Sequence, residues 1–243
     1  MAAQGAKEKP GPQAWPTDLK EAARIQKELA GRVVSERLAG EPRTVAAVDS
    51  GFWGPPRRPT HMVTGVVLYR IADRTVLERR YAYGRVRVPY VPGYLSFREA
   101  PSVIEAVEKL SQRPDVFLID GQGIAHPRFL GIAAHVGVVL DYPTIGCAKS
   151  RLVGQPAGEL PPERGSHVDL VYGERVVGAV VRTRDRVKPL YVSIGNRITL
   201  AECIELVLAL SPRYRLPEPA RLAHRYVTEL AKDPSIRRNT ASL

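Results

Sequence analysis

Residues 44–53 read TVAAVDSGFW, residues 61–71 HMVTGVVLYRI and residues 75–88 TVLERRYAYGRVRV. All three runs are rich in β-branched and aromatic side chains, which suit a pleated, half-buried surface better than a helix. The short ADRT link at residues 72–75 has hairpin length, so the runs predict three successive antiparallel strands. Downstream, residues 96–110 (SFREAPSVIEAVEKL) repeat apolar side chains every three or four positions and predict a helix opened by Ser96. Residues 115–120 (DVFLID) form a short apolar run of the kind that is buried on both faces of a parallel sheet.

The alternation continues. HPRFLGIAAHVGVVL (126–140) reads as a helix and YPTIGCA (142–148) as a strand, while the Gly and Pro content of residues 154–166 marks a loop. DLVYGERVVGAVVRTR (169–184) reads as a hairpin turning at Gly173 and Glu174, LYVSIG (190–195) as a strand and TLAECIELVLAL (199–210) as a helix. A last helix is predicted from about Pro219 to Ala231, and an amphipathic one from a Thr17 cap, with Leu19, Ala22, Ile25, Leu29 and Val33 on its apolar face. Three antiparallel strands followed by alternating helix and strand give an α/β mixed sheet flanked by helices, which is the order of a ribonuclease H-like fold.

The 243 residues, 44% of them hydrophobic, suffice for one catalytic domain, predicted over residues 17–243. Residues 1–16, rich in Gly, Pro, Ala and charge, predict a flexible arm. Lys and Arg exceed Asp and Glu by 36 to 25, a net charge of +11 that favours a polyanionic partner such as DNA or RNA. No stretch approaches the length of a membrane span and no secretory pattern opens the chain, so the expected place is the cytoplasm. Cys147 and Cys203 lie far from each other without zinc spacing, and read as two buried thiols with a disulfide left open.

Asp49 ends one apolar strand and Asp120 ends another, each followed by a turn. Alone, either is an ordinary turn residue, because Asp-Ser and Asp-Gly are common turn dipeptides. Together, on neighbouring strands, they would converge on one sheet edge, and two anions brought together there need a counter-charge such as a hard divalent cation. Glu99 is a third candidate, although Ser96 and Glu99 also have capping-box spacing. Ahead of it, Pro89, Pro92 and Gly93 stiffen a loop presenting Tyr90, Tyr94 and Phe97, aromatics that can stack on or wedge between bases.

The blocks VDSGF (48–52), VPYVPGYLSFREAP (88–101), LIDGQGIAHPRFLGIAAHVGV (118–138), PTIGCAKSRL (143–152) and RLAHRY (221–226) resemble, in order and spacing, the motifs of the endonuclease V family. The resemblance covers residues 17–231. It implies a metal-dependent endonuclease of DNA repair that cuts DNA on the 3′ side of a deaminated base, above all hypoxanthine, one bond beyond the lesion. It also implies Mg²⁺, with Mn²⁺ as a substitute, on Asp49, Glu99 and Asp120, with His224 binding metal or orienting water and Lys149 contacting phosphate or activating water. Pro89, Tyr90, Val91 and Pro92 match the strand-separating wedge, and Gly93, Leu95, Gly121, Gly123, His126 and Ile132 match the pocket for a flipped base.

Two positions depart from the family pattern: Gln122 stands where His or Asn is usual, and Asn196 where His is usual. Inosine-containing RNA is the alternative substrate, and a non-catalytic lesion binder is the alternative from a different class. The chain is expected to act as a monomer.

Overall fold

The computed structural model describes residues 15–55 and 57–241. Three strands, β1 (Thr44–Trp53), β2 (His61–Arg70) and β3 (Thr75–Arg85), form the antiparallel meander read from the sequence. Beyond it come β4 (Val116–Ile119), β5 (Thr144–Ala148), β6 (Gln155–Pro156), β7 (His167–Tyr172), β8 (Arg175–Val181) and β9 (Leu190–Asn196). All nine join one sheet in the order β3-β2-β1-β4-β5-β9-β8-β7-β6. β1, β4 and β5 run parallel and the other pairings are antiparallel, the mixed ribonuclease H-like order.

The helices are α1 (Leu19–Ala30), α2 (Leu95–Glu108), α3 (Ile132–Leu140), α4 (Leu200–Ala209), α5 (Glu218–Leu230) and α6 (Pro234–Ala241). Successive strand residues point to opposite faces, and β1 shows it directly. Val45 and Ala47 join a core shared with Cys203, Ile204, Val207 and Ala223 of α4 and α5, whereas Ala46 and Val48 join one shared with Ala100, Val103, Val136 and Ile132 of α2 and α3. By the same alternation Asp49 faces the α5 side. α5 comes unusually close to that face: a Cβ on Gly51 or Gly65 would stand 2.6–2.7 Å from the Val227 side chain.

Several local expectations change. α1 is capped by Asp18, whose carboxylate accepts from the Glu21 N–H, and not by Thr17. The helix expected from His126 begins only at Ile132; Phe129 takes a φ of 55° and the stretch before Gly131 folds back on Gln122 and Gly123. Within the Gly/Pro-rich loop, residues 155–156 pair with β7 as β6, and α6 was not foreseen. The hairpin does turn at Gly173 and Glu174.

Both cysteines are free and buried, and burial pushes the Cys147 thiol up to about 12. The arm expected over residues 1–16 lies outside the described residues apart from Trp15 and Pro16, and the Trp15 ring packs on Phe97 and His135. Among the described residues no helix is long and apolar enough to cross a membrane.

Candidate active site

The parallel pairing of β1 with β4 ends at Val48 opposite Ile119, so Asp49 and Asp120 emerge side by side at the carboxyl edge, with the Asp120 N–H donating to the Val48 carbonyl at 3.3 Å. Glu99 approaches from α2. The capping box that its spacing also allowed does not form: α2 starts at Leu95 after Tyr94, and among the described residues no side chain caps it and the buried Ser96 hydroxyl has no hydrogen-bond partner. Ser96 and Glu99 are instead inside the first turns, and Glu99 is turned onto the sheet edge, 9% exposed.

The electrostatics follow from this crowding. Burial pushes the Glu99 carboxyl up to about 8, the charges of Asp49 and Asp120 add to that, and a contact with the Ser50 side chain partly opposes it. Asp120 is raised too, by burial first and then by Asp49, against the pull of Lys149. Lys149 forms an ion pair with Asp120; burial alone would lower the ammonium, but the neighbouring carboxylates outweigh it and its pKa rises. From α5, His224 Nδ1 lies 2.7 Å from Asp49 Oδ2, a placement that the close approach at Gly51 and Gly65 permits. The sheet edge thus gathers all five residues singled out for catalysis.

Among the described residues no three Asp, Glu, His or Cys side chains are grouped closely enough to hold a metal ion as they stand, Asp49 being engaged by His224 and Asp120 by Lys149. The chemistry of the donor set nevertheless fits a hard divalent cation: three carboxylates from β1, α2 and β4, two of them raised above their ordinary range by burial and by neighbouring carboxylate charge.

The backbone that follows Lys149 is fixed at two successive carbonyls. Arg215 Nη2 donates to the Lys149 carbonyl at 2.9 Å and also to that of Pro189 at 2.8 Å. Gln122 Nε2 donates to the next carbonyl, Ser150, at 2.9 Å, so the first departure from the family pattern ties the Asp120 turn to the Lys149 loop. The second departure lies elsewhere. Asn196 is buried opposite Thr144 at the far end of β5, where it bonds the Gly137 carbonyl and the Val34 N–H.

The loop of residues 89–93 is exposed at its tip and clamped at both ends. Arg98, its guanidinium 4.4 Å from the centre of the Phe52 ring, donates to the Val88 carbonyl at 3.3 Å. At the other end the Gly93 carbonyl receives Gln26 Nε2 (3.1 Å), His126 Nε2 (3.0 Å) and Arg128 Nη2 (2.7 Å). His126 Nδ1 accepts from the Arg128 N–H, so Nε2 carries the proton given to Gly93, and burial lowers the imidazole to about 4. Between the clamps Tyr90 stands 68% exposed, beside exposed Pro89 and Pro92 and half-buried Val91.

Behind the loop, Gly121, with φ of 153°, lies against Ile132 and Leu95: a Cβ there would be 2.5 Å from Ile132 Cγ2. Gly123 is different. Its N–H donates to Ser193 Oγ at 2.8 Å and a Cβ would strike the Ile194 carbonyl, so it packs the turn onto β9 and its N–H is not available to a base. His126 likewise serves as a strut. Sequence reasoning missed Ser50, Arg98, Arg215, Gln26 and Arg128; of these Ser50, Arg98 and Arg128 lay inside recognisable motif blocks.

Comparison with known proteins agrees with this geometry. A sequence profile described as Endonuclease V matches residues 27–225. The Endonuclease V of Rhodospirillum centenum is 53% identical, covering 86% of this chain and 87% of its own. The crystal structure of Endonuclease V from Streptomyces avermitilis superposes with a TM-score of 0.84 at 37% identity, covering 91% of this chain and 96% of its own. A Ciona intestinalis Endonuclease V, crystallised with a 24mer DNA containing an inosine followed by a ribo-adenosine, has the same fold at 23% identity and a TM-score of 0.76, covering 88% of this chain and 98% of its own.

Proposed function

Since the chain belongs to the endonuclease V family and is a nuclease, we propose that it hydrolyses the phosphodiester one bond beyond a hypoxanthine nucleotide, on its 3′ side, in DNA. The ends would be a 3′-hydroxyl and a 5′-phosphate. The observation that carries this reading is the convergence of Asp49, Glu99 and Asp120 on one sheet edge beside a clamped loop that exposes Tyr90.

Asp49, Glu99 and Asp120 would hold Mg²⁺, or Mn²⁺ in its place; the ion, when bound, supplies Lewis-acid charge to the reacting phosphate and acidifies water. The protein's own groups do the rest. Lys149 keeps a full positive charge at the edge where phosphate must lie, and its two backbone anchors keep it there. His224 offers its outer ring nitrogen to solvent while Nδ1 is engaged with Asp49, which suits it to orient water or carry a proton. Tyr90 fills the gap left in the stack by the displaced base, which is received beside Gly121, Leu95 and Ile132. Hypoxanthine differs from adenine by a donor at N1, so the backbone groups around that space can select between them. Residues 17–243 act in this reading as one catalytic domain, as a monomer in the cytoplasm, with residues 1–16 as an arm.

The test uses end-labelled strands containing inosine, uracil, an abasic site or no lesion, as DNA and as RNA, with Mg²⁺ or chelator. A Mg²⁺-dependent nick one bond beyond inosine in DNA supports the reading. Cleavage confined to RNA, or blind to inosine, overturns it.

A further inference from the structure

β1 does not stop at the carboxylates. It continues four residues beyond Asp49 to Trp53, and the chain returns as β2 from His61. The resulting tip is well tied: Thr60 N–H donates to the Trp53 carbonyl, Val86 N–H to the Thr60 carbonyl and Arg58 N–H to the Pro55 carbonyl. Trp53 and His61, paired across the strands, stack with centroids 5.8 Å apart and planes 14° from parallel. Pro55 and Pro59 further stiffen the turn, and Arg57 is held at a φ of 63°.

Four arginines crown this tip. Arg57 and Arg58 are exposed on the turn; Arg85, paired with His61 at the end of the edge strand, and Arg87, two residues beyond that strand, are exposed just before the Tyr90 loop. Among the described residues none of the four has a carboxylate partner, whereas Arg24, Arg70, Arg80, Arg197, Arg221 and Arg225 are each paired with one. Charges on a tied backbone without carboxylate partners give up no existing ion pair when they meet a polyanion.

We propose that this hairpin tip is a second phosphate-gripping element, which binds the duplex flanking the lesion on one side of the cut. The inference rests on the nucleic-acid reading of the sheet edge. At about 3.3 Å per residue, the four residues from Asp49 to Trp53 and the turn beyond span roughly 15–20 Å. At about 3.4 Å per base pair, the arginines therefore meet backbone phosphates about five base pairs from the cut. Their side chains carry charge without a base-reading partner, so the grip is independent of sequence and steeply salt-dependent.

The experiment is binding and single-turnover cleavage by the full chain in which Arg57, Arg58, Arg85 and Arg87 are all changed to Gln, beside an Arg57→Gln/Arg58→Gln variant and a melting curve for each. Substrates are inosine duplexes with 15-base-pair arms, and the same duplexes with one arm, then the other, then both cut to three base pairs. On the long duplex the fourfold variant is expected to bind about ten-fold or more weakly at physiological salt, with the slope of log affinity against log salt shallower by about 3.6, and the double variant by about 1.8. The cleavage rate at saturation should be unchanged, and wild type and variant should become alike once the gripped arm is shortened. An unchanged slope on long arms, or an equal loss whichever arms are present, overturns the proposal. Lesion-free long duplex separates the two readings: if the wild type ignores inosine the proposed function fails, while the slope difference on that duplex still decides the grip.

Discussion

Glu99→Gln should make the metal-free protein more stable while abolishing cleavage. The glutamine keeps the shape and a polar end for Ser50 but removes an ionisable carboxyl buried beside Asp49 and Asp120. A carboxyl moved from its ordinary 4.5 to about 8 gives up about 3 kcal/mol of folding stability at pH 7, because the unfolded chain ionises it freely and the folded chain does not. Relaxation of the neighbouring Asp120 and Lys149 side chains reduces this, so a gain of about 1–3 kcal/mol is expected, or roughly 2–10 °C in melting temperature for a chain of this length.

The sign over pH is equally definite. The folded carboxyl holds its proton over a window in which the unfolded one has lost it, so wild-type stability falls as pH rises from about 4.5 to about 8 and levels off beyond; the variant lacks this component. Urea unfolding of both proteins in chelator, at several pH values from 5 to 9, measures the difference. Adding Mg²⁺ should then stabilise the wild type, by about 2.7 kcal/mol at a hundred times the dissociation constant, and the variant much less. A variant no more stable than wild type in chelator at every pH would refute the burial of Glu99 beside Asp49 and Asp120.

Tyr90→Ala should leave the melting temperature within about 1 °C, since the ring is largely exposed, yet weaken binding to a fully paired inosine duplex about five- to a hundred-fold and to single-stranded inosine DNA less; a uniform loss with a lowered melting point would mark the ring as structural. Arg215→Met keeps the apolar stem but removes both carbonyl contacts that fix the Lys149 backbone, so kcat should fall with little change in substrate affinity, at a stability cost of about 1–3 kcal/mol, and Arg215→Lys should recover part of kcat. Unchanged kcat in the Met variant would remove Arg215 from the support of Lys149.

The groups proposed for the chemistry were easier to read than the groups that hold them, and the reason is physical. Asp49 and Asp120 interrupt apolar runs, so each is visible as a charge where a buried strand ends, and the alternation of helix and strand makes the two strands neighbours. Glu99 was ambiguous because a capping box and an active-site carboxylate can share one spacing; only the true helix start, one residue before Ser96, separates them. Gln26 and Arg128 were illegible. Each is a polar residue in a segment whose polar face normally meets water, and their shared target is a backbone carbonyl, at Gly93, which no side-chain pattern marks. The same blindness misplaced the helix expected from His126: Phe129 and Leu130 look like helical periodicity but serve two different cores, which a chain can reach only by breaking the helix between them. Because the Gly93 carbonyl gathers three donors from α1 and the 126–128 turn, the exposed tip at Tyr90 is positioned by elements more than thirty residues away in either direction. A loop that looks stiff in sequence is thus held in place only through tertiary bonds, and changes at Gln26 or Arg128 should loosen it without touching the loop itself.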